Sequence, residues 1–298
     1  YISVTGVQTC ALPISNIHID TRGNYKTCCA GTEPLGNLRD SLFNTDLLLD
    51  IKSKVLNNEY HSNCRLCENN IVAERNWYTD IAESKVIPIT DITNDHLQNL
   101  DIRWSNTCNL SCVYCDSMFS SQWAQLRREP EQRTDFGDNL SNIIQHITDN
   151  QASIKNIALL GGEPLLLPEN DRLLDVIPDS AVVTVITNLS IDLENNKIFN
   201  KLRSRQNVGW SISFDNIEEE FEYVRYGANW SKFLKNLDLL QNLFLTNKHW
   251  GGIHAVYSLF NATKLSKFKQ FAQTRGLSIV WQPLYWPESL NIYSHGAD

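Results

Sequence analysis

Cys108, Cys112 and Cys115 fall within eight residues, spaced C-x3-C-x2-C, with Tyr114 just before the third cysteine. Thiolate is the usual protein ligand of iron–sulfur clusters, and soft ligands favour iron–sulfur or zinc over hard cations. Three thiolates this close can sit on three corners of an iron–sulfur cube. The count matters: three ligands leave one iron without a protein partner, and an open metal position is where a substrate or cofactor binds.

A second motif lies downstream. Residues 157–164 form an apolar run that ends in Gly161, Gly162, Glu163 and Pro164. The glycines permit close backbone approach, and Pro164 fixes the exit geometry. On its own this stretch also suits a tight strand-to-helix turn with a solvated glutamate. In this order and at this separation, however, the two motifs resemble the radical S-adenosylmethionine (SAM) superfamily. The resemblance implies that Cys108, Cys112 and Cys115 hold a [4Fe–4S] cluster whose free iron chelates SAM. It implies that Gly161, Gly162, Glu163 and Pro164 bind the methionine amine. An electron from the reduced cluster would then split the sulfonium into methionine and a 5′-deoxyadenosyl radical, which removes a hydrogen atom from substrate. Tyr114 is the position that meets adenine in such proteins. Asn188, Ser213 and Asp215 fall where the ribose and carboxylate are contacted, and Ser211 shares their strand parity.

The chain has 298 residues, 42% of them hydrophobic, enough for one large domain or one large and one small. Its net charge of −8 and the lack of a basic block disfavour a nucleic-acid surface. No apolar run is long enough for a membrane span. All eight cysteines stand in the first 115 residues, in clusters with metal-ligand spacing. Metal binding in a reducing cytosol therefore reads better than a secreted disulfide framework. Residues 1–15 resemble a translated sequencing adapter and are set aside as a non-native segment.

Residues 16–20 alternate as a short strand, 21–24 form a turn, and 25–27 lead into Cys28 and Cys29. Gly36-Asn37-Leu38 reads as a turn, and 41–57 as a helix. Cys64 and Cys67 follow as C-x2-C. The arrangement resembles half of a SPASM domain, called a twitch domain. That implies an auxiliary iron–sulfur cluster on Cys28, Cys29, Cys64 and Cys67 within residues 16–80. Spacing alone leaves an all-cysteine zinc site open.

After a connector at 81–99, strands alternate with helices through 100–298. Strands are expected at 100–104, 154–160, 182–186, 209–214, 253–259 and 277–281, with helices between them. The expected fold is α/β: an open (β/α)6 partial TIM barrel preceded by a small twitch-like metal-binding domain. Chemistry then sits at the C-terminal ends of the strands, where both motifs fall. Glu218, Glu219, Glu220 and Glu222 read as a solvated helix face, and His18 and His254 as packed strand residues. No acid or base is assigned.

The expected activity is reductive SAM cleavage, with a peptide, protein or small-molecule substrate. An external electron donor such as flavodoxin or ferredoxin is implied. The alternatives are a tRNA-modifying enzyme, disfavoured by charge, and a non-catalytic zinc or iron–sulfur protein serving binding or electron transfer.

Overall fold

The computed structural model describes residues 16–27, 31–37, 45–56, 61–64, 97–129, 139–246 and 249–295. One sheet organises them, in the order β3-β2-β1-β4-β5-β6-β7-β8-β9. Strands β4 (Asn99–Ile102), β5 (Asn156–Leu159), β6 (Val182–Thr187), β7 (Val208–Ser213), β8 (His249–Tyr257) and β9 (Ile279–Pro283) are consecutive and parallel. The sheet is mostly parallel and open, consistent with a partial barrel.

The helices are α1 (Thr45–Leu56), α2 (Ser121–Leu126), α3 (Asn139–Asp149), α4 (Pro168–Val176), α5 (Lys197–Ser204), α6 (Glu218–Val224), α7 (Trp230–Thr246) and α8 (Leu265–Thr274). Their starts follow local chemistry. Asn196 caps α5 by accepting from the Phe199 N–H, and α4 carries Pro168 in its first turn. Glu222 accepts the first N–H of α7, from Trp230, at 2.7 Å. Glu218 and Glu220 pair with Lys267 and Lys264, so the acidic run ties α6 to the region of α8.

Successive strand residues face opposite ways, and the two faces differ in chemistry. One face packs on helices through Ile102, Leu159, Val185, Ile212, Phe214 and Ile253, all buried. Phe214 sits among Phe233, Phe268 and Phe271, with ring centroids 4.8–6.1 Å away. The other face carries Asp101, Arg103, Ser211, Ser213 and His254, beside the apolar side chains of Ala158, Leu160, Ile186 and Val256. A parallel sheet covered on both sides reads as continuous apolar strands. This polar face instead leaves room for a site.

The N-terminal strands β1 (Asn16–Ile19), β2 (Asn24–Lys26) and β3 (Gly36–Asn37) are antiparallel to one another. Gly36 and Asn37, read as a turn, form strand β3 against β2. β1 also pairs with β4, in parallel, from Asn16↔Asn99 to Ile19↔Ile102. The hairpin is thus a continuation of the main sheet, and Tyr25, Leu35 and Ile51 share its core. His18 meets Asp101 at 3.1 Å across this junction, both buried. No helix among the described residues is long and apolar enough to cross a membrane.

Candidate active site

The cysteine loop leaves β4 through Trp104, which is fully buried and donates to Asn170 Oδ1 on α4 at 2.7 Å. Helix α2, absent from the sequence reading, pins the loop from one side. Ser121 Oγ accepts from the Cys108 N–H and donates to the Cys108 carbonyl. Ser120 Oγ donates to the Leu110 carbonyl at 2.6 Å, and Trp123 Nε1 to the Cys112 carbonyl at 2.8 Å. From the other side comes the segment after α6. Ser111 N donates to the Tyr226 carbonyl at 3.0 Å and Val113 N to the Val224 carbonyl at 2.9 Å. These bonds run antiparallel, in a register that sets Cys112 directly across from Arg225. Gly227, with φ of +98°, closes the strap.

The Gly-Gly-Glu-Pro turn lies directly against this loop. A Cβ on Gly162 would stand 2.4 Å from the Thr107 carbonyl oxygen and 2.5 Å from that of Asn106. Glycine is required there because two backbones touch. Glu163 N donates to the Thr107 carbonyl at 2.9 Å, locking the contact. Pro164 is buried and begins a short 3-10 turn, Pro164–Leu166.

The three thiols share one cavity, whose space including the open mouth is about 740 Å³. Gly161, Gly162, Asn188, Ser213 and Tyr114 line it too. Glu163, Pro164 and Asp215 stand behind its wall. Glu163 is fully buried, and three donors occupy its carboxylate. Leu165 N and Thr187 Oγ1 bond to Oε1 at 3.2 and 2.8 Å, and Asn188 N to Oε2 at 2.8 Å. Burial pushes its pKa up to about 7, against the pull of these donors. Asn188, so fixed, points its Nδ2 at the Cys108 sulfur, 3.7 Å away.

Asp215 is equally occupied. Its Oδ1 accepts from Val256 N at 2.6 Å, and its Oδ2 takes the Tyr114 hydroxyl and the Arg225 Nε at 3.0 Å. Arg225 Nη2 adds an ion pair at 2.9 Å. The Tyr114 ring therefore lines the cavity while its hydroxyl is turned to Asp215.

Several lining residues were not singled out from sequence. Arg225 and Arg103 are buried cations on the wall, Arg103 resting 4.8 Å over the Phe119 ring. His254, read as packed, is buried and also reaches the cavity; burial lowers its pKa. Arg225 had no local cue, because its partners are 10 and more than 100 residues away.

The sequence model of the Radical SAM superfamily matches residues 102–259, more than half of the chain. The chain belongs to the radical SAM superfamily. That superfamily is one of enzymes, and membership implies a [4Fe–4S] cluster and SAM. Among solved structures it is similar to native anSMEcpe with bound AdoMet, at 20% identity and TM-score 0.48, covering 62% of this chain and 52% of that one. It is also similar to Streptococcus suis SuiB bound to S-adenosylmethionine, at 16% identity and TM-score 0.47, covering 82% and 58%. The chain thus spans little more than half the length of these structures. No curated protein matches it.

The chemistry of the donor set fits the implied group, three cysteine thiols on one cavity wall, although among the described residues no three side chains are drawn together as a metal site. All three thiols are free, and burial raises their pKa values, that of Cys108 to about 12. As thiols they cost little to bury, and metal coordination deprotonates them outright. For Cys112 the Arg225 charge pulls the other way. Of the expected auxiliary ligands, Cys28, Cys29 and Cys67 lie outside the described residues. Cys64 ends a 3-10 turn, Ser62–Cys64, whose Cys64 side chain is not described.

Replacing Glu163 by glutamine sets an amide N–H against one of three inward N–H or O–H donors. Leaving a buried donor unmet costs about 1–3 kcal/mol. The expected result for Glu163→Gln is a stability loss of that size in chemical denaturation of the metal-free chain.

Proposed function

We propose that Cys108, Cys112 and Cys115 hold a [4Fe–4S] cluster, with SAM on its open iron, in an open (β/α)6 partial barrel that modifies a peptide or protein. One observation carries this reading: three free thiols and the Gly161–Gly162 turn share a cavity wall, with their backbones in contact. Bound there and reduced by one electron, cluster and cofactor together supply a 5′-deoxyadenosyl radical for hydrogen abstraction. The chain's own residues position and enclose them. Gly161 and Gly162 keep the wall low, Asn188 and Ser213 offer polar contacts, and Arg225 supplies a buried positive charge near the thiols. Glu163 and Asp215 act at one remove, by orienting Asn188 and Arg225. The apolar cluster of Ala158, Leu160 and Ile186 keeps water from the reacting end.

The same reading places an auxiliary cluster on Cys28, Cys29, Cys64 and Cys67. Asn63 supports it. This residue is 1% exposed and accepts from Glu33 N at 2.6 Å and Thr32 Oγ1 at 3.1 Å, and its Nδ2 donates to the Glu33 carbonyl at 3.2 Å. The turn bearing Cys64 is thereby stitched to the stretch that follows Cys28 and Cys29. A peptide is chosen as substrate from the twitch-like cysteine pattern. Structures similar to this chain include native anSMEcpe with bound AdoMet and Cp18Cys peptide, and SuiB bound to precursor peptide SuiA. An external donor of the flavodoxin or ferredoxin type would supply the electron.

The test is anaerobic reconstitution, with iron and sulfide counted and 5′-deoxyadenosine assayed after addition of SAM and reductant. The expected outcome is about eight irons per chain, two four-iron clusters, with deoxyadenosine formed. About four irons with cleavage would remove the auxiliary cluster. Zinc in place of iron would move the chain to a structural class. Cys64→Ala should keep SAM cleavage but lose product on substrate; wild-type product from that variant would remove the auxiliary role.

A further inference from the structure

Arg225 is tied to one cysteine of the loop more closely than the site reading requires. It is 5% exposed, and the antiparallel bonds at Ser111 and Val113 set it across from Cys112. Its guanidinium is held on Asp215 by two contacts, at 3.0 and 2.9 Å. Asp215 is itself fixed by the Val256 N–H and the Tyr114 hydroxyl. Arg225 also lies 5.8 Å over the Tyr114 ring, two residues from Cys112. The fork is therefore immobilised on its carboxylate side, and Arg225 and Cys112, opposite each other in the strap register, line the same cavity. The other two sulfurs have weaker company: an Asn188 amide 3.7 Å from Cys108, and the Asp116 carbonyl 3.7 Å from Cys115.

Hydrogen bonds to cluster sulfurs and nearby charge set iron–sulfur reduction potentials. A fixed cation beside one thiolate favours the state with the extra electron. We propose that Arg225 is a positioning residue that raises the reduction potential of the cluster held by Cys112, with Asp215 and Tyr114 as its anchors. The proposal rests on the function argued above. It concerns electron uptake before SAM arrives, and so differs from a role in holding SAM.

The experiment is an EPR-monitored redox titration of the reconstituted full chain without SAM, for wild type, Arg225→Gln, Arg225→Lys and Asp215→Asn. Arg225→Gln should bind the same iron and sulfide but shift the reduced-to-oxidised ratio at least tenfold toward oxidised, or about 59 mV downward for one electron. Arg225→Lys, which keeps charge but loses the planar fork, should shift less in the same direction. Asp215→Asn removes a negative charge and should shift upward. That pair of opposite signs is not what loosened packing would give. Arg225→Gln loaded with as much iron as wild type, with the cluster on Cys112 at the wild-type potential, overturns the proposal, and a loss of SAM affinity alone in that variant assigns Arg225 to the cofactor instead. If Arg225→Gln does not load, Arg225→Lys decides: a wild-type potential overturns the proposal. Failure of both variants to load, beside a loaded wild type, replaces tuning by a role in assembly. A wild-type chain that binds no cluster overturns the underlying reading of the site.

Discussion

Cys112→Ala is expected to abolish 5′-deoxyadenosine formation. The cluster has three protein ligands in this reading, and Cys112 is the central one, 9% exposed on the cavity wall. The helix α2 contact at its carbonyl and the strap across from it hold its backbone in place without the thiol. The variant therefore keeps its loop and loses its sulfur. Residues that merely support a metal ligand cost about 10–100-fold in affinity or activity when removed, so loss of a ligand itself should exceed that. It also leaves Arg225 facing a cavity, a buried cation whose partner toward the site is gone. Iron content after reconstitution and deoxyadenosine by chromatography are the readouts. Full SAM turnover by the variant would remove the mechanism.

The second large effect is expected from Gly162→Ala, a change of one methyl group. The atoms it meets at 2.4 and 2.5 Å are carbonyl oxygens, and neither is free to retreat. The Thr107 carbonyl accepts from Glu163 N, and the Asn106 carbonyl from Ser121 N at 2.8 Å, the first residue of α2. Relief must part the two loops or unseat α2. Overpacking costs about 1–3 kcal/mol and occasionally more; with backbone on both sides, the upper end is expected. Gly161 gives the contrast. A Cβ there meets the end of the Leu167 side chain at 2.7 Å, which can turn away, although the φ of +149° remains a strain. Thermal denaturation of the metal-free variants, followed by their iron content, checks both. A Gly162→Ala chain that melts and loads as wild type would show that the loops are not in contact.

The parts of the site legible in sequence were those with short spacing. Cysteine spacing and the Gly-Gly-Glu-Pro run are local patterns, and so is the alternation of strands with helices. Less was legible where the third dimension chooses the partner. Glu163 and Asp215 read as cofactor contacts because each follows a strand at the active rim. In the structure each carboxylate accepts from backbone and side-chain donors behind the cavity wall, since a buried carboxylate must be hydrogen-bonded to be tolerated. The sequence does not disclose which donors will arrive. Arg225 was invisible for the same reason: its value lies in a register with residues 111–113. Gly36 and Asn37 have turn propensities, yet strand β2 offered them a ladder, and tertiary context overrode the local preference. The parallel pairing of β1 with β4 has no short-range mark, because some 80 residues separate the partners.

The strap formed by residues 224–226 has a consequence for how such a chain matures. The cysteine triplet emerges before the segment that sets its shape, which follows more than 100 residues later. Closing so long a loop is slow compared with local folding. A nascent chain that has not reached residue 224 carries every thiol and none of the register that spaces them. Metal delivered at that stage would meet an unshaped ligand set, and a truncated product would bear the recognisable motif without a working centre. Possession of the three cysteines thus identifies a lineage; competence to use them is decided by a segment more than 100 residues further along the chain.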